Sequence, residues 1–239
     1  MTADAAVATR PVDAVLFDFS GTLFRFTERA EWFADLHDED GAPIHGELQA
    51  ELIRRMTAPT GIPADLGPDD VAAWERRDLD PELHRRAYLA VLRSSGLTVP
   101  GHAESLYERV LDPESWDPYP DTVEVLTRLH AAGVGIGIVS NIAFDLRRVL
   151  ARFDLDGLVG AWALSHEVGR IKPTAGIFTA ALDGLGVPAG RALMVGDSEE
   201  ADGGARALGC RFALVAPDPI PDRPRALLDA VHAHGLLNG

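Results

Sequence analysis

Apolar residues along this chain follow three rhythms. At the start, Val15-Leu16-Phe17-Asp18-Phe19 places hydrophobic side chains almost consecutively and runs into Gly21, which predicts a short buried strand over 14–19. From about residue 25 to 115 the apolar positions recur three and four apart. That spacing predicts amphipathic helices at 47–56, 69–77, 81–96 and 102–111, with no strands among them. Proline and glycine clusters at 41–43, 59–63, 67–68 and 100–101 separate these helices. After "WDPYPD" (116–121) the two patterns alternate. Helices are predicted at 121–132, 144–153, 174–185, 199–208 and 224–234, and strands at 134–140, 158–163, 191–197 and 210–216.

Alternating strands and helices imply right-handed crossovers and a parallel sheet covered on both faces. The fold class is therefore α/β, with a helical segment of about ninety residues inserted after the first strand. The first ten residues and the proline-rich "APDPIPDRP" (216–224) read as surface coil.

In such sheets ligands lie beyond the carboxyl ends of the strands. Three polar clusters fall there: Asp18 to Thr22, Ser140-Asn141, and Asp197 to Asp202. An Asp at a strand end often only caps a turn. Asp18 differs because Gly21-Thr22 follows it, offering close backbone approach and a hydroxyl, as a phosphate cradle does. Ser140-Asn141 stands at a helix start, which is both an ordinary cap position and an anion site. Asp197 and Asp202, placed opposite Asp18, repel it unless a cation joins them, and oxygen-only ligands suit Mg²⁺.

Charge and composition narrow the partners. The chain has 22 basic and 37 acidic residues, a net charge of −15, which disfavours nucleic acid and anionic membrane. No apolar stretch approaches a membrane span, and the N-terminus lacks the pattern of a signal peptide. The one cysteine, Cys210, fits a reducing compartment and a small buried hydrophobe, so a cytoplasmic protein is expected. Lys172, in "GRIKPT", is the only lysine among the 239 residues. A lone loop lysine is ordinarily a solvated charge; in a chain otherwise built on arginine it points to a need for a compact cation.

Taken in order, these positions resemble the haloacid dehalogenase superfamily of hydrolases. The carriers are Asp18-Phe19-Ser20-Gly21-Thr22, Ser140 in "IVSN", Lys172 in "IKP", and "GDSEEAD" with Asp197 and Asp202. The resemblance covers residues 12–24 and 116–216, and the helical insert falls where that family's first-position cap sits. It implies a Rossmann-like core of residues 1–24 and 116–239 and a cap domain over 25–115 that sets specificity. It further implies nucleophilic attack by Asp18 on phosphorus, giving an aspartyl-phosphate that water hydrolyses. Mg²⁺ would be held by Asp18, the backbone carbonyl of Ser20 and Asp197, with Asp202 in support. Thr22, Ser140 and Lys172 would stabilise the phosphoryl oxygens, Gly21 would contact them, and Asn141 would orient the nucleophile.

The departure from the family's pattern is Ser20, which stands where its phosphatases carry a second Asp that protonates the leaving group. A hydroxyl does this poorly, and general acid–base help is worth roughly 10²- to 10⁴-fold. Either turnover is slow, the substrate has a good leaving group, or a residue of the insert supplies the proton. Asp35, His37 and Asp38 are available there. The absence of any lysine from the insert sets aside Schiff-base chemistry. The expected substrate is a small phosphorylated metabolite. Carbon–halogen hydrolysis and a non-catalytic, ligand-binding protein stand as alternatives. The arginine pairs 54–55, 76–77 and 85–86 read as solvent-facing partners of nearby acids, and Trp32, Trp74 and Trp116 as core or pocket.

Overall fold

The computed structural model describes residues 12–57 and 66–237. The first ten residues and the 59–63 proline cluster lie outside the described residues. Seven strands occur among the described residues: β1 (Ala14–Phe17), β2 (Phe24–Phe26), β3 (Trp116–Pro118), β4 (Gly135–Ser140), β5 (Ala161–Leu164), β6 (Ala192–Gly196) and β7 (Arg211–Leu214). Five of them form one sheet in the order β5-β4-β1-β6-β7, every adjacent pair parallel. The first strand in sequence is thus the central one. Leu16 stands opposite both Gly137 and Met194.

A strand buried on both faces needs apolar side chains at every position, and all four residues of β1 are buried. Alternate side chains serve opposite layers. Val15 and Phe17 join the apolar cluster that includes Leu126 and Leu129 of α5 (Thr122–Ala131), Val149 of α6 (Arg147–Ala151) and Leu228 of α9 (Ala226–Ala233). Leu16 joins the other cluster, with Ile177, Phe178 and Ala181 of α8 (Ala175–Leu185). Between α6 and α8 lies the single turn α7 (Ser165–Val168).

The inserted segment carries α1 (Gly46–Thr57), α2 (Pro68–Glu75), α3 (Pro81–Ser94) and α4 (His102–Leu111). Local chemistry sets their starts: Pro68 and Pro81 occupy first-turn positions, where a missing N–H costs nothing. The Asp80 carboxylate accepts from the N–H groups of Glu82 and Leu83 at 2.8 and 3.0 Å, capping α3. His84, Ala87, Tyr88, Val91 and Leu92 form the buried stripe of α3 at helical spacing.

The structure corrects three expectations. Strands do occur at the borders of the insert: β2 and β3 pair antiparallel, with Phe26 opposite Trp116. Residues 202–208 form a 3₁₀ stretch in place of an α-helix, as the weak helix former pair Gly203-Gly204 permits. The proline-rich 216–224 segment is not simple coil, because Arg223 within it is only 3% exposed. Its guanidinium lies 3.2 Å from the centre of the Tyr119 ring and donates to the carbonyls of Gly21 (2.7 Å), Thr22 and Ala216 (3.1 Å). Arg223 therefore braces the loop after β1 from behind. No helix among the described residues is long and apolar enough to cross a membrane.

Replacing Arg223 with Met keeps the stem but strands those carbonyls. Unpaired buried acceptors cost about 1–3 kcal/mol each when nothing relaxes. The expected loss for the variant is about 3 kcal/mol, or about 6–12 °C in Tm for a chain of this size, read by thermal unfolding. A shift under about 2 °C would show that water takes over the pairing.

Candidate active site

β1 ends by delivering Asp18, whose N–H still pairs with the Val195 carbonyl of β6 at 3.0 Å. The carboxylate is therefore fixed at the sheet's centre while being buried to 5% exposure. Lys172 reaches it from the loop between α7 and α8. Its Nζ donates to Asp18 Oδ1 at 2.5 Å and to Asp202 Oδ1 at 2.7 Å. Asp202 is fully buried, and its other oxygen accepts the Ser198 N–H at 2.9 Å. Thr22 Oγ1 lies 3.4 Å from Asp18 Oδ2 as a long donor.

The lysine's backbone is held as firmly as its tip. Asn141 Oδ1 accepts from Lys172 N–H at 2.7 Å, and Asn141 Nδ2 donates to the Lys172 carbonyl at 3.1 Å. Ser140, buried at the end of β4, precedes this pair. Asn141 thus holds the lysine's backbone in place.

Two glycines open the space. Gly21 has a φ of +81°, and a Cβ on it would stand 2.4 Å from Asp197 Oδ2. Gly21 N–H donates to the Phe24 carbonyl at 2.8 Å inside its own loop. Its own amide is thereby engaged within the loop, and the room that Gly21 leaves lies beside Asp197. At Gly196 a Cβ would meet Asp202 Cγ at 2.2 Å, so a side chain there is excluded.

Oxygens of Asp18, Asp197 and Asp202 lie within 4.8 Å of one another. Burial, and after it the charge of a neighbouring aspartate, pushes the Asp197 and Asp202 carboxyls above the ordinary carboxylate range. Asp18 is also raised by burial, against the pull of Lys172. Burial works against the charge on Lys172, but Asp18 and Asp202 outweigh it and raise its pKa. Three carboxylates against one ammonium leave two negative charges (3 − 1 = 2), which one divalent cation would neutralise. Hard oxygen donors of this kind fit Mg²⁺. Both oxygens of Asp202 are already engaged, so Asp18 and Asp197 are the better placed to touch it.

Ser20 is exposed to a cavity of about 160 Å³ between the sheet's edge and the inserted helices. With Asn141 it faces Arg77, Asp78, His84 and Tyr88 across that space. The arginine pairs divide. Arg54 and Arg55 bond Glu51 and Arg86 bonds Asp70, as expected of surface partners. Arg77 instead lies over the Trp74 ring, 4.3 Å from its centre, and lines the cavity. Trp116 lines it too. Asp35, His37 and Asp38 are absent from its lining; Asp38 Oδ1 accepts from the N–H groups of Asp40 and Ala42, closing its own turn.

A central parallel sheet with a buried aspartate–lysine pair at its carboxyl edge defines an α/β enzyme with a carboxylate-centred site. A profile of haloacid dehalogenase-like hydrolases matches residues 12–209, and the chain belongs to that family. It is similar to a glyceraldehyde 3-phosphate phosphatase of Methanopyrus kandleri, 28% identical over 92% of this chain and 97% of that protein. It is also similar to a ribulose-1,5-bisphosphate 5-phosphatase of Halopiger xanaduensis, 32% identical over 61% of this chain and 73% of that protein. Among solved structures, the L-2-haloacid dehalogenase of Xanthobacter autotrophicus superposes with a TM-score of 0.63 at 23% identity, covering 91% of this chain and 83% of that one. That likeness is one of fold.

The raised carboxyls set a pH test. A carboxyl whose pKa rises on folding contributes stability below its unfolded pKa, and loses it as pH climbs through the folded value. The metal-free protein is therefore less stable near neutrality than in mild acid, and Mg²⁺ should stabilise it more at about pH 8 than at about pH 5. At a hundredfold excess over Kd the gain is about 2.7 kcal/mol, or about 5–10 °C in Tm. Asp197→Asn should raise the metal-free Tm and abolish most of the Mg²⁺ response. A Tm indifferent to Mg²⁺ in the parent protein would remove the metal from this site.

Proposed function

We propose that the chain is a phosphatase of a small phosphorylated metabolite, acting through an aspartyl-phosphate on Asp18. The observation that carries the reading is the buried Lys172 ammonium held between Asp18 and Asp202, with Asp197 beside them. The phosphatases among the relatives support it. A cap formed by residues 25–115 would bound the substrate, and a cavity of about 160 Å³ suits a small one, below the roughly 300–1,000 Å³ of drug-sized pockets.

Asp18 attacks phosphorus in line with the departing oxygen, and the phosphoryl group moves onto its carboxylate. Lys172, Thr22 and Ser140 face the charge that builds on the phosphoryl oxygens. Asp18, Asp197 and the carbonyl of Ser20, with Asp202 in support, would hold Mg²⁺, whose positive charge would offset the acidic site toward a phosphate dianion. Asn141 keeps Lys172 aimed through its two backbone bonds. The burial of Asp18, Lys172 and Asp202 lowers the local dielectric and strengthens their interactions.

Carbon–halogen hydrolysis would need no metal. The crowding of three carboxylates within 4.8 Å speaks for the phosphatase.

In the presence of Mg²⁺, phosphate release from p-nitrophenyl phosphate and from a panel of small alkyl phosphates tests the reading. Asp18→Asn should lower kcat by about 10³-fold or more while the protein stays folded. Halide release from 2-haloacids without phosphate release would replace the phosphatase by a dehalogenase. Neither product, with Mg²⁺ still bound, would leave a binding protein.

A further inference from the structure

We propose that Asp78 stands in for the carboxyl group that Ser20 lacks, serving as general acid and then as general base; this rests on the phosphatase reading above. Ser20 opens onto the cavity, and Asp78 is the only carboxyl group that lines it among the described residues. The other proton-bearing groups on its wall are poor donors. His84 on α3 is held neutral by burial, its pKa lowered to about 3, and Tyr88 on the same helix has its phenol raised by burial.

The core holds Asp78 in place. Ser165, fully buried at the start of α7, donates from Oγ to the Asp78 carbonyl and accepts there from Ile142 N–H at 2.8 Å. One hydroxyl therefore ties the inserted segment to the residue following Ser140-Asn141. The Asp78 side chain is left less engaged than its backbone. Its nearest ion partner among the described residues is Arg77 Nε at 3.8 Å, and about a quarter of the side chain is exposed.

Burial pushes the Asp78 carboxyl upward, with Arg77 and Lys172 pulling back, and the balance is upward. Tyr88 from α3 is the further group facing it, and His166 of α7 lies beyond, its Nδ1 2.9 Å from the Ile142 carbonyl. A carboxyl raised toward neutrality can hold a proton for a leaving group and take one back.

In the first half-reaction Asp18 forms its bond to phosphorus, the ester P–O bond breaks, and the Asp78 proton passes to the departing alkoxide oxygen. In the second, the Asp78 carboxylate takes a proton from water as the water oxygen attacks phosphorus. The bond from Asp18 to phosphorus breaks, releasing inorganic phosphate and restoring both carboxyl groups to their starting states.

The test is Asp78→Asn in the full chain with Mg²⁺, assayed on small alkyl phosphates and on p-nitrophenyl phosphate. Loss of the acid should cost about 10²-fold or more in kcat on the alkyl esters, but less than about tenfold in the first turnover of p-nitrophenyl phosphate. That burst also reports a folded site. The alkaline limb of kcat/KM should vanish in the variant, and adding Ser20→Asp should restore alkyl ester turnover. Equal losses on both ester classes, an unchanged pH profile, or a parent enzyme confined to p-nitrophenyl phosphate would each overturn the role of Asp78 alone. A parent enzyme without Asp18-dependent release from any ester would overturn the phosphatase reading, and this role with it.

Discussion

Lys172 is the pivot of the site because it is a buried ammonium between two buried carboxylates. Taking such ions out of water costs several kcal/mol apiece, and removing one partner leaves an uncompensated charge. The arrangement persists only if all three are held rigidly. Each is: Asp18 by its backbone bond to β6, Asp202 by the Ser198 amide, Lys172 by the two-way pairing with Asn141. These restraints come from different strand ends, so the ion triad locks together loops that the sheet alone would leave independent.

The same triad sets what else can enter. With Asp197 added, the negative charge exceeds the positive by two. A phosphate ester brings more negative charge, and Coulomb repulsion in a site of low dielectric would exclude it. On the proposed function, a divalent cation bound by these carboxylates would relieve that repulsion. The small residues Gly21 and Gly196 belong to this logic, since a methyl group on either would collide with Asp197 or Asp202. Arg223 contributes from behind, holding the carbonyls of Gly21 and Thr22 toward its guanidinium.

Legibility in the sequence followed the range of each interaction. The parallel sheet and its central strand were readable because apolar runs and amphipathic spacing are local signals, and the polar clusters at strand ends followed from topology. Lys172 was readable because it is a single lysine. Arg223 was not, since its bonds run to residues about two hundred positions away and its segment is written in prolines. The β2–β3 ribbon was missed for a like reason: each strand is three residues long, and its partner lies ninety residues off. Arg77 read as a solvent-facing charge and Asp78 carried no signal of its own; both line the cavity on a turn bonded to Ser165. The acidic 34–40 stretch, conspicuous in sequence, spends Asp38 on its own turn.

Moving the proton donor from the core to the inserted segment changes more than its address. A carboxyl at position 20 would sit beside Asp18 on the same rigid loop, present in every conformation of the molecule. Asp78 lines the cavity on a turn whose carbonyl accepts from Ser165, so its place depends on the packing of the inserted segment against the core. That placement also keeps a fourth carboxyl away from a site where Asp18, Asp197 and Asp202 already repel one another. With Asp78 as the acid, the core would keep the nucleophile, the ammonium and the metal ligands, and the inserted segment the proton.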